Sequence, residues 1–393
     1  MARDRSGGSR SRRRREPRPA RGGSRSRSRL CRERKARKRD KEKAVPHFSW
    51  KPGMCLGTND RYVVEQFLGD GTFGRVLGCK DSVAQDYVAV KVVKGVKRYC
   101  EHAEAEVEIL QEIQRLDPRR ESLCVEMLDS FLHAERHLCI VFEPLDTSIR
   151  DFLKENDNLG MLLADVRLLA QQLLQSLRFL HGIGLTHTDL KCRNVMLRDG
   201  SHDVVPHPRM EGRETRRLRS CRLAVIDFGG AVFPDERHPG QVGTRQYRAP
   251  EIVLGLPWDE SSDIWSAGCI VAMLYLGQRP LSMHENMEHL AMIERLLETE
   301  IPLWMVRQAL EQDKPLDGIA FDREGRLQWP AAAPDGGAVE RVCALQALRQ
   351  RLAPHHGALL GLLKGLLEVC PRARLTAAAA LQCKFFTNEE VVE

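Results

Sequence analysis

His187-Thr188-Asp189-Leu190-Lys191-Cys192-Arg193-Asn194 is the stretch on which the reading of this chain turns. An acid and an amide follow a histidine in the order H-x-D-x-x-x-x-N, with a lysine two places after the acid. In that order the Asp189 carboxylate orients a hydroxyl and accepts its proton. Lys191 neutralises charge on a phosphoryl group in flight, and Asn194 holds Mg2+. Further along, Asp227-Phe228-Gly229 follows an apolar strand at 223–226. A carboxylate emerging there suits Mg2+ bridging the β- and γ-phosphates of ATP. Ala249-Pro250-Glu251 closes the segment.

Upstream, Gly69-Asp70-Gly71-Thr72-Phe73-Gly74-Arg75-Val76 lies between two expected strands. Glycines let backbone amides close over phosphates without Cβ clashes. A dinucleotide fold would need a helix directly after these glycines, whereas 76–79 continues as a strand. Val88-Ala89-Val90-Lys91 puts a lysine on an apolar strand. Burying it is costly without a counter-charge, and phosphate oxygens with a helix carboxylate would supply one. Any one motif is weak. Five in this order and in compatible local structure are specific.

The local patterns fall into two halves. Segments 62–68, 75–80 and 87–93 read as strands, and 101–116 has helical apolar spacing at Val107, Leu110, Ile113 and Leu116. Strands resume at 125–128 and 137–143. Helical patterns then dominate at 162–181, 262–276, 288–297 and 357–368, while 198–222 and 313–341 read as loops or insertions. A strand-rich first third before a helix-rich remainder indicates an α+β, two-lobed fold.

Across about residues 60–387 the chain resembles the eukaryotic protein kinases. Within them it is similar to the CDC-like, or LAMMER, dual-specificity kinases. The naming signature is near-complete in Glu288-His289-Leu290-Ala291-Met292-Ile293-Glu294-Arg295-Leu296-Leu297. Arg98-Tyr99-Cys100-Glu101, Cys139-Ile140-Val141-Phe142-Glu143, Leu185-Thr186-His187-Thr188-Asp189 and Thr244-Arg245-Gln246-Tyr247-Arg248 also fit. The resemblance implies an antiparallel N-lobe sheet with one main helix, about 45–144, and a mainly helical C-lobe, about 145–387.

It also implies roles for residues. The ATP-binding set is Leu68, Gly69, Asp70, Gly71, Thr72, Phe73, Gly74, Val76, Ala89, Lys91, Phe142, Glu143, Leu145 and Met196. Phe142 guards the back of the adenine pocket, Glu143 and Leu145 fall on the hinge, and Val76, Ala89 and Met196 sandwich the purine. The catalytic set is Asp189, Lys191, Lys91, Glu106 and Thr244, with Glu106 pairing Lys91. Asn194 and Asp227 are the metal ligands. Asp263 braces the catalytic-loop backbone, and Arg374 pairs with Glu251. Thr188 stands where an arginine commonly receives an activation-loop phosphate, as in the CDC-like kinases themselves. One pair departs from the family: Cys192-Arg193 replaces Pro-Glu. The glutamate of that pair contacts a substrate arginine in Arg-directed kinases, so the charge there is reversed.

Charge divides the chain unequally. Residues 1–44 hold 20 Lys and Arg against 5 Asp and Glu, a net of +15; the whole chain carries +7, which leaves −8 on the rest. The arm is Arg, Ser, Gly and Lys with almost nothing apolar, so disorder is expected there. It reads as a nuclear-import and interaction arm, phosphorylatable on Ser24, Ser26 and Ser28. It lacks aromatics, so any RNA contact would be weak, phosphate-driven and salt-sensitive. The acidic body suits basic protein substrates. Twelve cysteines form no C-x-x-C pair, which suits reduced intracellular thiols. No stretch of 18 apolar residues appears, so no membrane span is expected.

The leading expectation is a monomeric, nuclear, ATP- and Mg2+-dependent Ser/Thr kinase that shuttles to the cytoplasm, with tyrosine autophosphorylation. Its substrates are basic proteins such as Arg/Ser-rich splicing factors, or alternatively chromosome-segregation and cell-cycle proteins. A pseudokinase scaffold would lack Lys91, Glu106, Asp189, Asn194 or Asp227, and all five are present.

Overall fold

The computed structural model describes residues 45–71, 73–236, 240–312 and 316–387. The expected basic arm, 1–44, and Thr72 of the glycine-rich stretch lie outside the described residues. All elements below belong to the unit Phe48–Glu393.

The first half is built on β1 (Cys55–Leu56), β2 (Tyr62–Asp70), β3 (Gly74–Asp81), β4 (Tyr87–Val93), β5 (Met127–His133) and β6 (His137–Phe142). They form an antiparallel sheet in the order β1-β2-β3-β4-β6-β5. Alternation sorts β4 into two faces. Val88, Val90 and Val92 are buried with Leu77, Cys139 and Val141 in a small core on one side. Ala89 and Lys91 therefore point to the other. That inner face is covered by α1 (Lys97–Leu116). Its buried stripe is Tyr99, Ala103, Glu106, Leu110 and Ile113, spaced four and three apart. Glu106 thus occupies a position the helix period aims at the sheet. The helix starts four residues before the expected Glu101, because Tyr99 carries the stripe back one more turn.

Strand β5 also differs from its expected span of 125–128. Val125 is extended, but its N–H donates to the Val225 carbonyl at 2.9 Å, so it belongs beside a C-lobe strand and not in the sheet.

The second half holds β7 (Thr147–Ser148), α2 (Ile149–Glu155), α3 (Leu163–Gly182), β8 (Val195–Leu197), β9 (His202–Pro206), β10 (Glu214–Leu218) and β11 (Leu223–Val225). After them come α4 (Pro250–Val253), α5 (Ser261–Leu276), α6 (Asn286–Leu297), α7 (Leu303–Leu310), α8 (Gly336–Ala344), α9 (Leu348–Arg351), α10 (Gly357–Leu366), α11 (Ala377–Ala380) and α12 (Lys384–Thr387). Helix α5 is apolar all round and buried from Ser262 to Tyr275, which makes it the central post. A Cβ on Gly268 would lie 2.8 Å from the Leu367 side chain, so glycine lets α10 and its last turn press against α5. This two-lobed α+β architecture is the one expected.

Two segments read as loops or insertions need correction. Residues 198–222 are not a plain loop: β9 and β10 form a hairpin. Its inward residues, Thr215 and Leu218, are buried, and the backbone N–H groups of Arg216 and Leu218 donate to Asn156 and Asp165 at 2.9 and 3.1 Å. Strands of five residues in which only Thr215 and Leu218 are buried, with two arginines between them, show no period of two. In 313–341, where 313–315 lie outside the described residues, α8 begins at Gly336 behind Asp335, whose carboxylate accepts the Ala338 N–H at 2.7 Å. Helix α6 matches the helical pattern expected at 288–297. It is wedged between α4 and α8, and even Glu288 and His289 are fully buried.

Candidate active site

Lys91 and Glu106 meet because the strand and helix periods aim them at each other across the inner face. Nζ to Oε2 is 2.7 Å, and Lys91 also lies 3.7 Å from Asp227 Oδ1. Burial weighs against the Lys91 charge, but Glu106 and Asp227 outweigh it and hold the ammonium above its usual range.

Asp227 follows β11 in a left-handed backbone conformation, φ 71°. Phe228 next to it is fully buried, its ring 5.1 Å from that of His187. Burial alone would raise the Asp227 carboxyl. Lys91, Lys191, His187 and an Asn194 hydrogen bond at 3.2 Å more than offset it and keep the group below its usual range. It is therefore a carboxylate at neutral pH. Asn194 is oriented by a second donation, to the Asp189 carbonyl at 3.0 Å. A carboxylate and an amide oxygen converging in this way are the hard donors that Mg2+ takes, so the residues present fit that ion.

The loop carrying Asp189 is braced from below. Asp263 accepts the His187 and Thr188 N–H groups at 2.7 and 2.9 Å, from inside buried α5. Asp189 itself is part-exposed. One oxygen accepts both the N–H and the hydroxyl of Thr244, each at 2.8 Å, and the other faces Lys191 Nζ at 2.5 Å. Lys191 and Thr244 thus hold the Asp189 carboxylate, while the Asn194 amide links the Asp189 backbone carbonyl to Asp227.

The expected nucleotide residues come from the sheet, the link after it and a C-lobe strand. Val76, Ala89, Phe142, Leu145 and Met196 are all half-buried, from strands β3, β4, β6, the following link and β8, leaving apolar surface along one cleft between the lobes. Gly74 sits where a Cβ would come 2.5 Å from the Val92 carbonyl, so only glycine lets β3 run this close to β4. Gly69 faces open space, and a Cβ on Gly71 would lie in ordinary contact, 3.7 Å from the Gly74 carbonyl oxygen. Asp70 and Arg75 close the loop's base as an ion pair at 2.7 Å. Leu68 lies at an irregularity between β2 and β3 and is exposed. Phe73 turns toward α1, with its ring edge-on to Tyr99 at 5.3 Å. The Glu143 N–H already donates to the Glu126 carbonyl at 3.1 Å. Its own carbonyl and the Leu145 N–H have no hydrogen-bond partner among the described residues.

Sequence reading missed several contacts. Arg198 forms an ion pair with the Glu143 carboxylate, which fixes the link between the lobes. The Thr188 hydroxyl donates to the Gly230 carbonyl at 2.8 Å. His102 Nδ1 lies 3.3 Å from the Gly229 carbonyl. No local pattern announces any of them, since each joins residues distant in sequence.

A family model described as the protein kinase domain matches residues 62–386. Dual specificity protein kinase lkh1 of Schizosaccharomyces pombe is 37% identical over 332 residues, 84% of this chain and 47% of that protein. Human dual specificity protein kinase CLK2 is 39% identical over 333 residues, 84% of this chain and 64% of that one. The matched stretch therefore spans about half to two thirds of these relatives' own lengths. A crystal structure of a kinase domain superposes with a TM-score of 0.81 at 36% identity, covering 86% of this chain and 98% of that one.

Proposed function

Since the chain belongs to the protein kinase family, in its CDC-like dual-specificity branch, we propose that it transfers the γ-phosphoryl group of ATP to serine and threonine hydroxyls, with tyrosine as an autophosphorylation target. One observation carries this reading: the Lys91–Glu106 pair is closed at 2.7 Å while Asp227, Asn194 and Asp189 stand together with their donors in place.

The adenine edge docks on the Glu143 carbonyl and the Leu145 N–H, and Val76, Ala89 and Met196 hold its faces. Lys91, fixed by Glu106, binds phosphate oxygens. Asn194 and Asp227 would hold Mg2+, which supplies charge neutralisation across the β- and γ-phosphates. Asp189 accepts the proton as the substrate oxygen bonds to the γ-phosphorus and the bond to the β–γ bridging oxygen breaks. Lys191 offsets the charge that builds on the moving group. The fixed carboxylates and amides make this chiefly a matter of position and electrostatics.

Basic nuclear proteins, Arg/Ser-rich splicing factors among them, are the proposed substrates. The −8 balance of the body supports basic substrates, and the +15 of residues 1–44 supports binding to nuclear import receptors. Cys192-Arg193 weakens the Arg/Ser-rich reading, and the alternative substrates are chromosome-segregation or cell-cycle proteins. The purified chain with ATP and Mg2+ on an arrayed peptide library tests all of this. Phosphorylation of basic Ser/Thr peptides is expected, and no transfer to any peptide leaves the scaffold reading in its place. Deleting residues 1–44 should abolish nuclear entry and leave kcat on a short peptide unchanged.

A further inference from the structure

The segment 227–251 has only two side-chain hydroxyls, Thr244 and Tyr247. Thr244 Oγ1 is engaged by Asp189, and Tyr247 is buried with its hydroxyl 3.6 Å from Met273 Sδ. Neither is presented for phosphorylation, so a phosphate on this segment is not what orders its start. The two consecutive glycines there, Gly229 and Gly230, have the widest backbone freedom of any residue. Their carbonyls are nevertheless held from two sides. Thr188 on the catalytic loop donates to Gly230 at 2.8 Å, and His102 on α1 reaches Gly229 at 3.3 Å. A carbonyl only accepts, so His102 Nδ1 carries the proton in this contact.

His102 stands four residues before Glu106, one turn away on α1. Its ring also lies against Phe73 of the glycine-rich loop, with centroids 5.9 Å apart. The phosphate-covering loop, the helix that supplies Glu106 and the turn that supplies Asp227 therefore meet at one imidazole.

We infer that His102 is a positioning residue that ties α1 to the Asp227 turn, completing with Thr188 a phosphate-independent clamp on Gly229 and Gly230. The inference rests on the kinase reading above and specifies how that site is held in register. A slack tether lets the glycine pair sample other conformations, which moves Asp227 relative to Asn194 and α1 relative to Lys91. Neither movement touches the peptide-binding surface.

The test uses the full chain after phosphatase treatment, as wild type, His102→Ala and His102→Gln. Glutamine keeps an N–H donor. His102→Ala should lower kcat about 3- to 10-fold, the range of one net hydrogen bond, with KM for peptide unchanged. It should also speed hydrogen exchange in both α1 and 227–231. His102→Gln should recover most of both. Wild-type kcat and exchange in His102→Ala, or a glutamine variant as impaired as alanine, would overturn the inference. If wild type transfers no phosphate, the kinase reading fails and exchange alone decides the tether. Paired loss of protection in the two segments upholds it, and unchanged protection removes it.

Discussion

Arg374 and Glu251 form a two-point ion pair, with Nη1–Oε1 at 2.7 Å and Nη2–Oε2 at 2.9 Å, although they lie far apart in sequence. Both side chains are buried. The remaining guanidinium donors reach the Ser261 and Glu368 carbonyls, each at 2.9 Å, and the Val369 carbonyl at 3.3 Å, and the group stacks over Trp265. This pair fastens α4, at the end of the segment beside the substrate, to the base of α5 and the C-terminal helices. Removing one member leaves the other charge buried, so Arg374→Met should lower stability by about 3–5 kcal/mol. Arg374→Met with Glu251→Met together should cost less than the two single changes added. Urea unfolding reads both, and a loss under about 1 kcal/mol in the single variant would mean that the site relaxes around the unpaired carboxylate.

Lys91→Met and Asp227→Ala should each cut phosphotransfer by more than tenfold and leave the fold intact, because both groups face the cleft and neither fills the core. Burial raises the Glu106 carboxyl even beside Lys91. Circular dichroism and peptide phosphorylation measured on the same preparations check this. A variant that keeps more than about a tenth of the wild-type rate contradicts the proposed roles.

Lys91 and Asp227 could be picked out from sequence because each sits in a short motif on or after a strand: the alternation of β4 turns Lys91 away from Val90, and β11 delivers Asp227 at its end. Glu106 came only from the family resemblance. The apolar spacing at Val107, Leu110, Ile113 and Leu116 points a neighbouring face inward, whereas the structure buries Glu106 with Leu110 and Ile113 and leaves Leu116 exposed. The burial of Glu288 was not legible, for the opposite reason to Lys91 and Asp227. A helix pattern says which residues share a face, but not that α8 will cover the other face and supply Arg341 at 2.5 Å. The tie of Arg198 to Glu143 and the closing of His102 on Gly229 depend on how distant segments pack, so no local spacing encodes them. The β9–β10 hairpin escaped because its buried positions are Thr215 and Leu218 among arginines, too few apolar residues to show a period of two.

Phosphatase-treated protein should retain most of its activity. Thr188 leaves no arginine beside Asp189 to receive a loop phosphate; its hydroxyl holds the Gly230 carbonyl. Intact mass measurement would establish the phosphate-free state, and kcat on a basic peptide would follow. Loss of nearly all activity on phosphate removal would mean that a phosphate elsewhere in the chain controls the site.

Arg193 should weaken selection for an arginine two or three residues before the target hydroxyl. Cys192 is fully buried with Sγ 3.4 Å from Met273 Sδ, which leaves Arg193 directed outward and 64% exposed. Its neighbouring carboxylate, Asp151, is 3.7 Å away and 42% exposed. A pair that open is worth about 0–1 kcal/mol and does not cancel the positive charge. Nearby acids do little to offset it: Glu288 is buried and bonded to Arg341, while Glu285 is exposed. Two like charges at about 4 Å repel by about 4 kcal/mol at an effective dielectric of 20, an upper bound that solvent and salt reduce. A tenth of that is about a twofold change in rate ratio. Comparing kcat/KM for peptides with Arg or Ala at those positions, Arg193→Glu should therefore raise the Arg-to-Ala ratio at least about twofold over wild type. The increase should shrink as ionic strength rises, because both charges are in water. Equal ratios in wild type and variant would show that upstream arginines bind beyond the reach of residue 193.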